Sequence, residues 1–489
     1  STVNSGTGTQ TYSGVVKLGG ATSFSTNNSN LTFDSTLNSD STGAKALTIS
    51  AGSGTVTFSG AVGNLYALAA TTVTAGTLTF SDDFYSTGHV VLTATTLSTA
   101  AAKVFSVISS ANLTMTADSL AIGAALTGSP GGTLTIQPRA NSTTVGIGSS
   151  AAGSLAISDT ELGYINGKFG NLILGSSTGT ALVTLKYTAS TFTYSQPLTL
   201  RSNTGGITTT TTYALDTGAY SLTITGGSLT LGHILSGTLA VTGSSINLSL
   251  PVTTTGDTGS QTYNGPVVLS EYVNMDSRGV SGTGVGANIS FSSTVNSVGT
   301  DHPLVIYSGA GSVTFGGAVG NILALSSFSA RSTHATGITL TGNVTTRGNQ
   351  DYFGNVLLNA DTTISTTNNG YVKIAGTVSS GLIASNVGVS FYQSADLAGG
   401  ASGIGDGNYF SSGSAGVAAS YRGSYTYWCG GYCTSNYPIY TNSLTVTGGT
   451  VTVYSGYGYG GSPTTYGIGN WNLASGVVYS YVASNTSTP

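Results

Sequence analysis

Cleaving a glycosidic bond takes two carboxylates flanking it, and this 489-residue chain holds only 16 Asp and Glu together. The pairings whose spacing allows joint action are Asp82 with Asp83, Asp159 with Glu161, Glu271 with Asp276, and Asp301 beside His302. Asp159 and Glu161, two apart, would share one face of a strand, yet their surroundings read as loop. Asp82-Asp83 opens the turn Ser81-Asp82-Asp83-Phe84-Tyr85, where Asp serves by accepting nearby backbone hydrogen bonds. All four pairs therefore read as structural. The histidines His89, His233, His302 and His334 are dispersed, so neither a zinc site nor a Ser/His/Asp relay is indicated. Calcium at Asp82 and Asp83 has no support, because the nonapeptide Ca²⁺ repeat with its regular Asp is missing. With 72 glycines, Gly-rich loop matches carry no weight, and no P-loop occurs. The sequence thus indicates no catalytic residue, metal or cofactor.

The cysteines, Cys429 and Cys433, stand in Trp428-Cys429-Gly430-Gly431-Tyr432-Cys433. A lone CxxxC without an adjacent His is read as a local disulfide closing a Gly-rich loop, with two free thiols as the alternative. They lie in a segment of changed composition. Fourteen of the 27 Tyr and both Trp fall in residues 391–489, where only Asp396, Asp406 and Arg422 are charged. Tyr425, Tyr427, Trp428, Tyr432, Tyr454, Tyr457, Tyr459 and Trp471 are candidate interface aromatics, since Tyr and Trp bury large areas with little rotamer entropy. Three readings stay open: a cap or terminal rungs filling their own core, an interface joining copies of the chain, or a glycan-binding face.

Behind these residues stands an unusual composition. Charged residues make up 6% of the chain, against about 25% in ordinary soluble domains. The net charge is −4, so no basic field exists to attract nucleic acid. Coiled coils and amphipathic bundles are excluded by the dominance of Gly, Ser and Thr. Disorder combines low hydrophobicity with high net charge, whereas 39% of this chain is hydrophobic and its mean hydropathy is +0.20. It should fold. No run of about 18 apolar residues appears, so no membrane-spanning helix is encoded. The chain begins at Ser1 without a leader pattern, as a mature secreted chain or an excised fragment would.

The elements are expected to be short strands. Leu47–Ser50, Thr55–Phe58, Thr77–Phe80, Val90–Thr93, Leu222–Thr225, Leu229–Leu231, Leu239–Thr242 and Leu444–Thr447 alternate apolar and mostly hydroxyl side chains, the period of a strand buried on one face. Gly-Gly, Gly-Ser, Asn-Gly and Thr-Gly pairs between strands are expected to supply turns with positive φ. A longer duplication overlies them, spanning about 9–94 and 260–360. Gln10-Thr11-Tyr12 returns as Gln261-Thr262-Tyr263, with a weaker echo at Gln350-Asp351-Tyr352. Phe33 to Ser39 returns as Phe291 to Ser297. Val56-Thr57-Phe58-Ser59-Gly60-Ala61-Val62-Gly63-Asn64 returns as Val313-Thr314-Phe315-Gly316-Gly317-Ala318-Val319-Gly320-Asn321.

Such units cannot bury an apolar face alone and must stack. The expected fold is all-β, an elongated parallel β-solenoid over 1–390 with an aromatic, Gly-rich region at 391–489; a β-sandwich array is the runner-up. Roughly 20 residues per rung give about 24 rungs, and a ~4.8 Å step gives a rod on the order of 115 Å. Asn38, Asn64, Asn296 and Asn321 are expected to form amide ladders at the turns. Scarce charge suits this plan, since like charges on successive rungs would repel.

The run Ala51-Gly52-Ser53-Gly54-Thr55-Val56-Thr57-Phe58-Ser59-Gly60-Ala61-Val62-Gly63 and the Gln-Thr-Tyr-x-Gly element resemble repeats of filamentous-haemagglutinin-like large bacterial exoproteins. Ile157-Ser158-Asp159-Thr160-Glu161-Leu162, with Leu172-Ile173-Leu174-Gly175, is similar to another element of those repeats. The resemblance spans roughly 1–390 and implies a right-handed β-helix, secretion, and a role in adhesion, surface display or extracellular structure. The family's N-terminal secretion domain is not recognisable here. The leading expectation is a non-catalytic subunit of an extracellular fibre or surface layer that binds copies of itself end to end. An adhesin binding glycans is the alternative, and a polysaccharide-active enzyme is the least favoured class.

Overall fold

The structure, a computed structural model, describes residues 1–380 apart from 189–190, 210–212 and 256–258; beyond 380 it describes only the backbone of strands within 389–484. The chain is nearly all β and coils as a parallel β-solenoid of about 17 turns. It divides into two compact units, Ser1–Ile246 and Asn247–Pro489.

In the first unit one face stacks Thr22–Ser25, Leu47–Ser50, Thr71–Thr74, Val90–Thr93 and Leu113–Thr116 in parallel register. A second face stacks Leu31–Phe33, Thr55–Phe58, Thr77–Phe80, Thr96–Thr99 and Ser119–Ile122. Shorter strands such as Phe84–Ser86 and Phe105–Val107 close the third side. In the second unit the corresponding ladder runs through Gln261–Asn264, Ile289–Phe291, Val313–Phe315 and Ile338–Leu340. Another face carries Val273–Asp276, Leu304–Gly309, Phe328–Ser332, Gln350–Phe353 and Val372–Ile374. Strand pairings described beyond residue 389 are antiparallel, as between Gly423–Trp428 and Tyr432–Tyr437.

Alternation decides which side chains go in. In Leu47–Ser50 and Thr77–Phe80 the apolar residues are buried while Thr and Ser face outward or sit at the margin. Phe33, Phe58 and Phe80 stack with ring centres 5.2 and 4.9 Å apart, and Tyr263, Phe291 and Phe315 repeat the column at 5.1 and 4.9 Å. Rung length is less regular than a 20-residue period. Leu47 pairs with Thr71, Thr71 with Val90, and Val90 with Leu113, steps of 24, 19 and 23 residues. Together with the limit of the described residues, this is why about 17 turns are found where 24 were expected.

The repeated Gln-x-Tyr motif is a buried lock. Tyr263 donates to Gln261 Oε1 at 3.0 Å, and the Gln261 amide nitrogen donates to Val252 O, Thr254 Oγ1 and Asp276 O, each at 3.3 Å. Tyr352 donates to Gln350 Oε1 at 2.8 Å, and Gln350 donates onward to Ser365 O at 2.7 Å. Tyr12 and Gln10 repeat the bond at 2.9 Å. Two residues apart on a strand, Gln and Tyr point to the same side, so the pair satisfies itself and the backbone that bends around it. Gln261→Leu strands the Tyr263 hydroxyl and its own three acceptors, an expected loss of about 1–3 kcal/mol. Adding Tyr263→Phe should restore part of it, read as amide-exchange protection at 261–264 and 289–291; no recovery would argue against the lock.

Two expectations are corrected. Asn38 and Asn296 do not stack amide on amide. Their Oδ1 atoms accept the N–H of Leu65 at 3.0 Å and of Ile322 at 2.9 Å, while Asn64 and Asn321 sit exposed. Asn30, Asn112 and Asn343 likewise accept from Thr55, Thr133 and Thr363 one rung on. A backbone N–H in need of an acceptor outcompetes a second amide. Nor does every glycine pair take a positive φ. Gly226-Gly227 carries the ten-residue strand Leu222–Leu231 from pairing with Leu198–Arg201 to pairing with Ile207–Thr209 without one, and Gly227 N–H continues the ladder to Gly205 O at 2.9 Å.

Candidate functional site

The candidate acids are committed to the frame wherever partners are described. Asp82 meets Lys103 at 2.6 Å, and that ammonium, with the Asp83 N–H, holds its carboxyl below the ordinary value, the reverse of what a general acid requires. Asp83 accepts from the N–H of Val104 at 2.9 Å. Asp159 and Glu161 sit neither in a strand nor in a loop but open a helix, Asp159–Ile165. Ser158 and Glu161 form a capping box there, and Glu161 Oε1 also accepts the Ile122 N–H at 2.8 Å. The signal, Ser-x-x-Glu before apolar residues, was present in the sequence. Asp159 Oδ1 accepts the Ser149 N–H at 2.9 Å.

Asp276 is buried and gripped by Arg278 through Nε at 3.0 Å and Nη2 at 2.8 Å, while Glu271 is exposed. Asp301 pairs with Arg347 at 3.3 Å. Three histidines serve loops. His89 Nδ1 accepts the Asn112 N–H at 2.9 Å, His334 Nδ1 accepts that of Thr336 at 3.1 Å, and His302 Nε2 lies 3.2 Å from Thr300 Oγ1. Burial pushes the His233 imidazole down, against the pull of Asp216. Among the described residues no three His, Cys, Asp or Glu gather as metal ligands, and no helix is long and apolar enough to cross a membrane.

The ionisable groups that do gather were not singled out from the sequence. On the face carrying Leu304–Gly309, Phe328–Ser332 and Gln350–Phe353, strand register puts Tyr307 beside Arg331 and Arg331 beside Phe353. Cations and rings interleave along it. The Arg278 guanidinium stands 4.3 Å from the Tyr307 ring centre, and that of Arg331 lies 6.0 Å from Tyr307 and 3.7 Å from Phe353. Lys373 Nζ lies 5.6 Å from Phe353 on the far side. In a chain with 12 Lys and Arg, three of them share this stripe. Arg278 is neutralised by Asp276, but Arg331 is exposed and faces no carboxylate at ion-pair distance among the described residues. The only sequence trace is cation and aromatic alternating at 278, 307, 331, 353 and 373, steps of 29, 24, 22 and 20 residues, which reads as a pattern only once the rung lengths are known.

A recess of about 250 Å³ opens at the middle of this stripe, lined by Arg278, Tyr307, Arg331 and Phe353 with Gly309 and Thr333. A β-bulge makes it. The register slips between Tyr307 and Gly309, and Gly309 takes φ +57. A Cβ there would sit 2.1 Å from Val285 O, so the chain passes this point only as glycine.

The cysteines Cys429 and Cys433, and the aromatics Tyr425, Tyr427, Trp428, Tyr432, Tyr454, Tyr457, Tyr459 and Trp471, lie outside the residues whose side chains the structure describes. No protein-family model matches this chain, and neither a curated protein nor a solved structure matches it.

Proposed function

We propose that this chain is a secreted, non-catalytic bacterial β-solenoid that serves as a subunit of an extracellular fibre or surface layer, joining copies of itself end to end. The observation that carries the reading is how the scarce polar groups are spent. Asp83, Asp159, Glu161, Asn38 and Asn296 each hold a backbone N–H of the frame, Asp82 and Asp301 pair with cations, and buried Gln-Tyr pairs lock the rungs. Such use of side chains favours rigidity over turnover. The resemblance to filamentous-haemagglutinin-like repeats supports a β-helical exoprotein. A terminal rung of any solenoid presents unpaired N–H and C=O groups, which must be capped or used, and a head-to-tail contact that does not close gives a filament. The aromatic segment 391–489 is suited to such a contact.

Sedimentation velocity and negative-stain microscopy of the full chain test the proposal. Rods lengthening in whole multiples of the monomer as concentration rises are expected, and a bulky folded tag at the C-terminal end should stop the growth. Monomers alone at the highest soluble concentration would remove the fibre reading.

A further inference from the structure

We propose that the recess beside Arg331 binds a carboxylate-bearing sugar, one uronic acid residue of an acidic polysaccharide. The proposal goes beyond assembly: a lone chain and a filament would present the same recess. Four observations converge on it. The bulge and Gly309 make a concavity on the face that carries the cations and rings. Its volume of about 250 Å³ falls just under the range of drug-sized sites, which begins near ~300 Å³, and suits one sugar ring. Arg331 supplies an exposed guanidinium without a carboxylate partner, a planar fork that matches a carboxylate in two parallel hydrogen bonds. Stacking on Phe353 at 3.7 Å fixes that fork in orientation, so little freedom is lost when it binds.

The rings select the rest of the ligand. Tyr307, with Arg278 at 4.3 Å and Arg331 at the wider 6.0 Å, is less closely covered by Arg331 than Phe353 is at 3.7 Å, and it borders the recess beside the cation. A pyranose offers C–H groups to such a ring while its carboxylate turns to the guanidinium. Arg278, held by Asp276, adds a neutral ion pair at one wall, and Thr333 adds a hydroxyl. Charge agrees locally: Arg278, Arg331 and Lys373 stand against Asp276 and Asp351, one positive charge in excess in a chain of net −4. A bare anion would use the fork and leave the rings idle.

Calorimetry of the full chain with oligogalacturonate tests this, alongside the same oligomer reduced to its neutral alcohol. The acidic oligomer should bind and the neutral one fail. Arg331→Gln should weaken binding about tenfold or more, Arg331→Lys less so because charge survives without the fork, and Phe353→Leu several-fold. Because Arg331 is exposed, its variants should keep the wild-type circular dichroism. Equal binding of the neutral oligomer, or unchanged affinity in Arg331→Gln, would overturn the assignment. Displacement at equal concentration by inorganic phosphate or by poly-glutamate would overturn the sugar and leave a simple anion or acidic-peptide site. Measuring monomer and polymer fractions separately keeps the result independent of self-association.

Discussion

Phe58→Ala should cost the solenoid about 4 kcal/mol at its own rung, the range for an aromatic removed from a well-packed core. The Phe58 ring is 1% exposed and touches two others, Phe33 on one rung and Phe80 on the next, nearly parallel to each at 4° and 11°. Removing it deletes two stacking contacts and leaves a hole that backbone ladders on either side cannot collapse to fill, because Val56 and Phe58 are held in register with Leu31, Phe33, Leu78 and Phe80. Stability in a stacked chain is local, so global unfolding is the wrong readout. Hydrogen exchange should show protection at 31–33, 55–58 and 77–80 falling by up to about a thousandfold, with 313–315 in the other unit unchanged. Phe58→Leu keeps most of the volume and should cost less than about 1.5 kcal/mol. An even loss of protection across both units would contradict the rung-by-rung account.

The same column explains how much could be read beforehand. Leu47–Ser50, Thr55–Phe58, Thr77–Phe80 and Val90–Thr93 occur with the bounds their alternation suggested. Burial on one side is the force that selects alternation, so the pattern and the strand have one cause. Duplication was legible for the same reason. Val56 to Asn64 and Val313 to Asn321 occupy equivalent positions, each pairing with the strand that ends in Phe33 or Phe291.

What local pattern could not show was which groups meet across rungs of unequal length. Asn38 looked like half of an amide ladder because Asn recurs, but its partner is a backbone N–H 27 residues on. Gly226-Gly227 reads as a positive-φ turn, yet it passes its strand from one partner to the next without positive φ, because Gly205 O on the preceding rung keeps the ladder going. Arg331 and Phe353 are unremarkable 22 residues apart until the register places them side by side. A solenoid makes neighbours of residues a rung apart, so its chemistry-bearing groups meet without being neighbours in sequence.

Gly320→Ala should be a severely damaging single-atom change, and Gly63→Ala its twin. Both glycines lie in the duplicated Ala-Val-Gly-Asn run, and both adopt the left-handed conformation, φ +69 at Gly63 and +70 at Gly320. A side chain there costs roughly 1–2 kcal/mol for conformation alone. Space is refused as well. The added carbon would lie 2.3 Å from Tyr85 O at Gly63 and 2.1 Å from Thr345 O at Gly320, in each case a backbone carbonyl of the next rung. Relief requires the rungs to part, yet Tyr85 N–H is bonded to Val62 O at 2.9 Å and Thr345 N–H to Val319 O at 2.8 Å, so the ladder breaks where the carbon enters. The two costs together should reach about 4 kcal/mol, the level of core truncation. Exchange protection should then fall at 319–320 and 344–346 for Gly320→Ala, and at 62–63 and 84–86 for Gly63→Ala. Gly163→Ala is the contrast, because that glycine sits in the helix with open space around it and ordinary φ; alanine there should stabilise by about 0.5–1 kcal/mol. Equal effects at Gly320 and Gly163 would mean that the close approach of successive rungs at this corner is not what fixes glycine there.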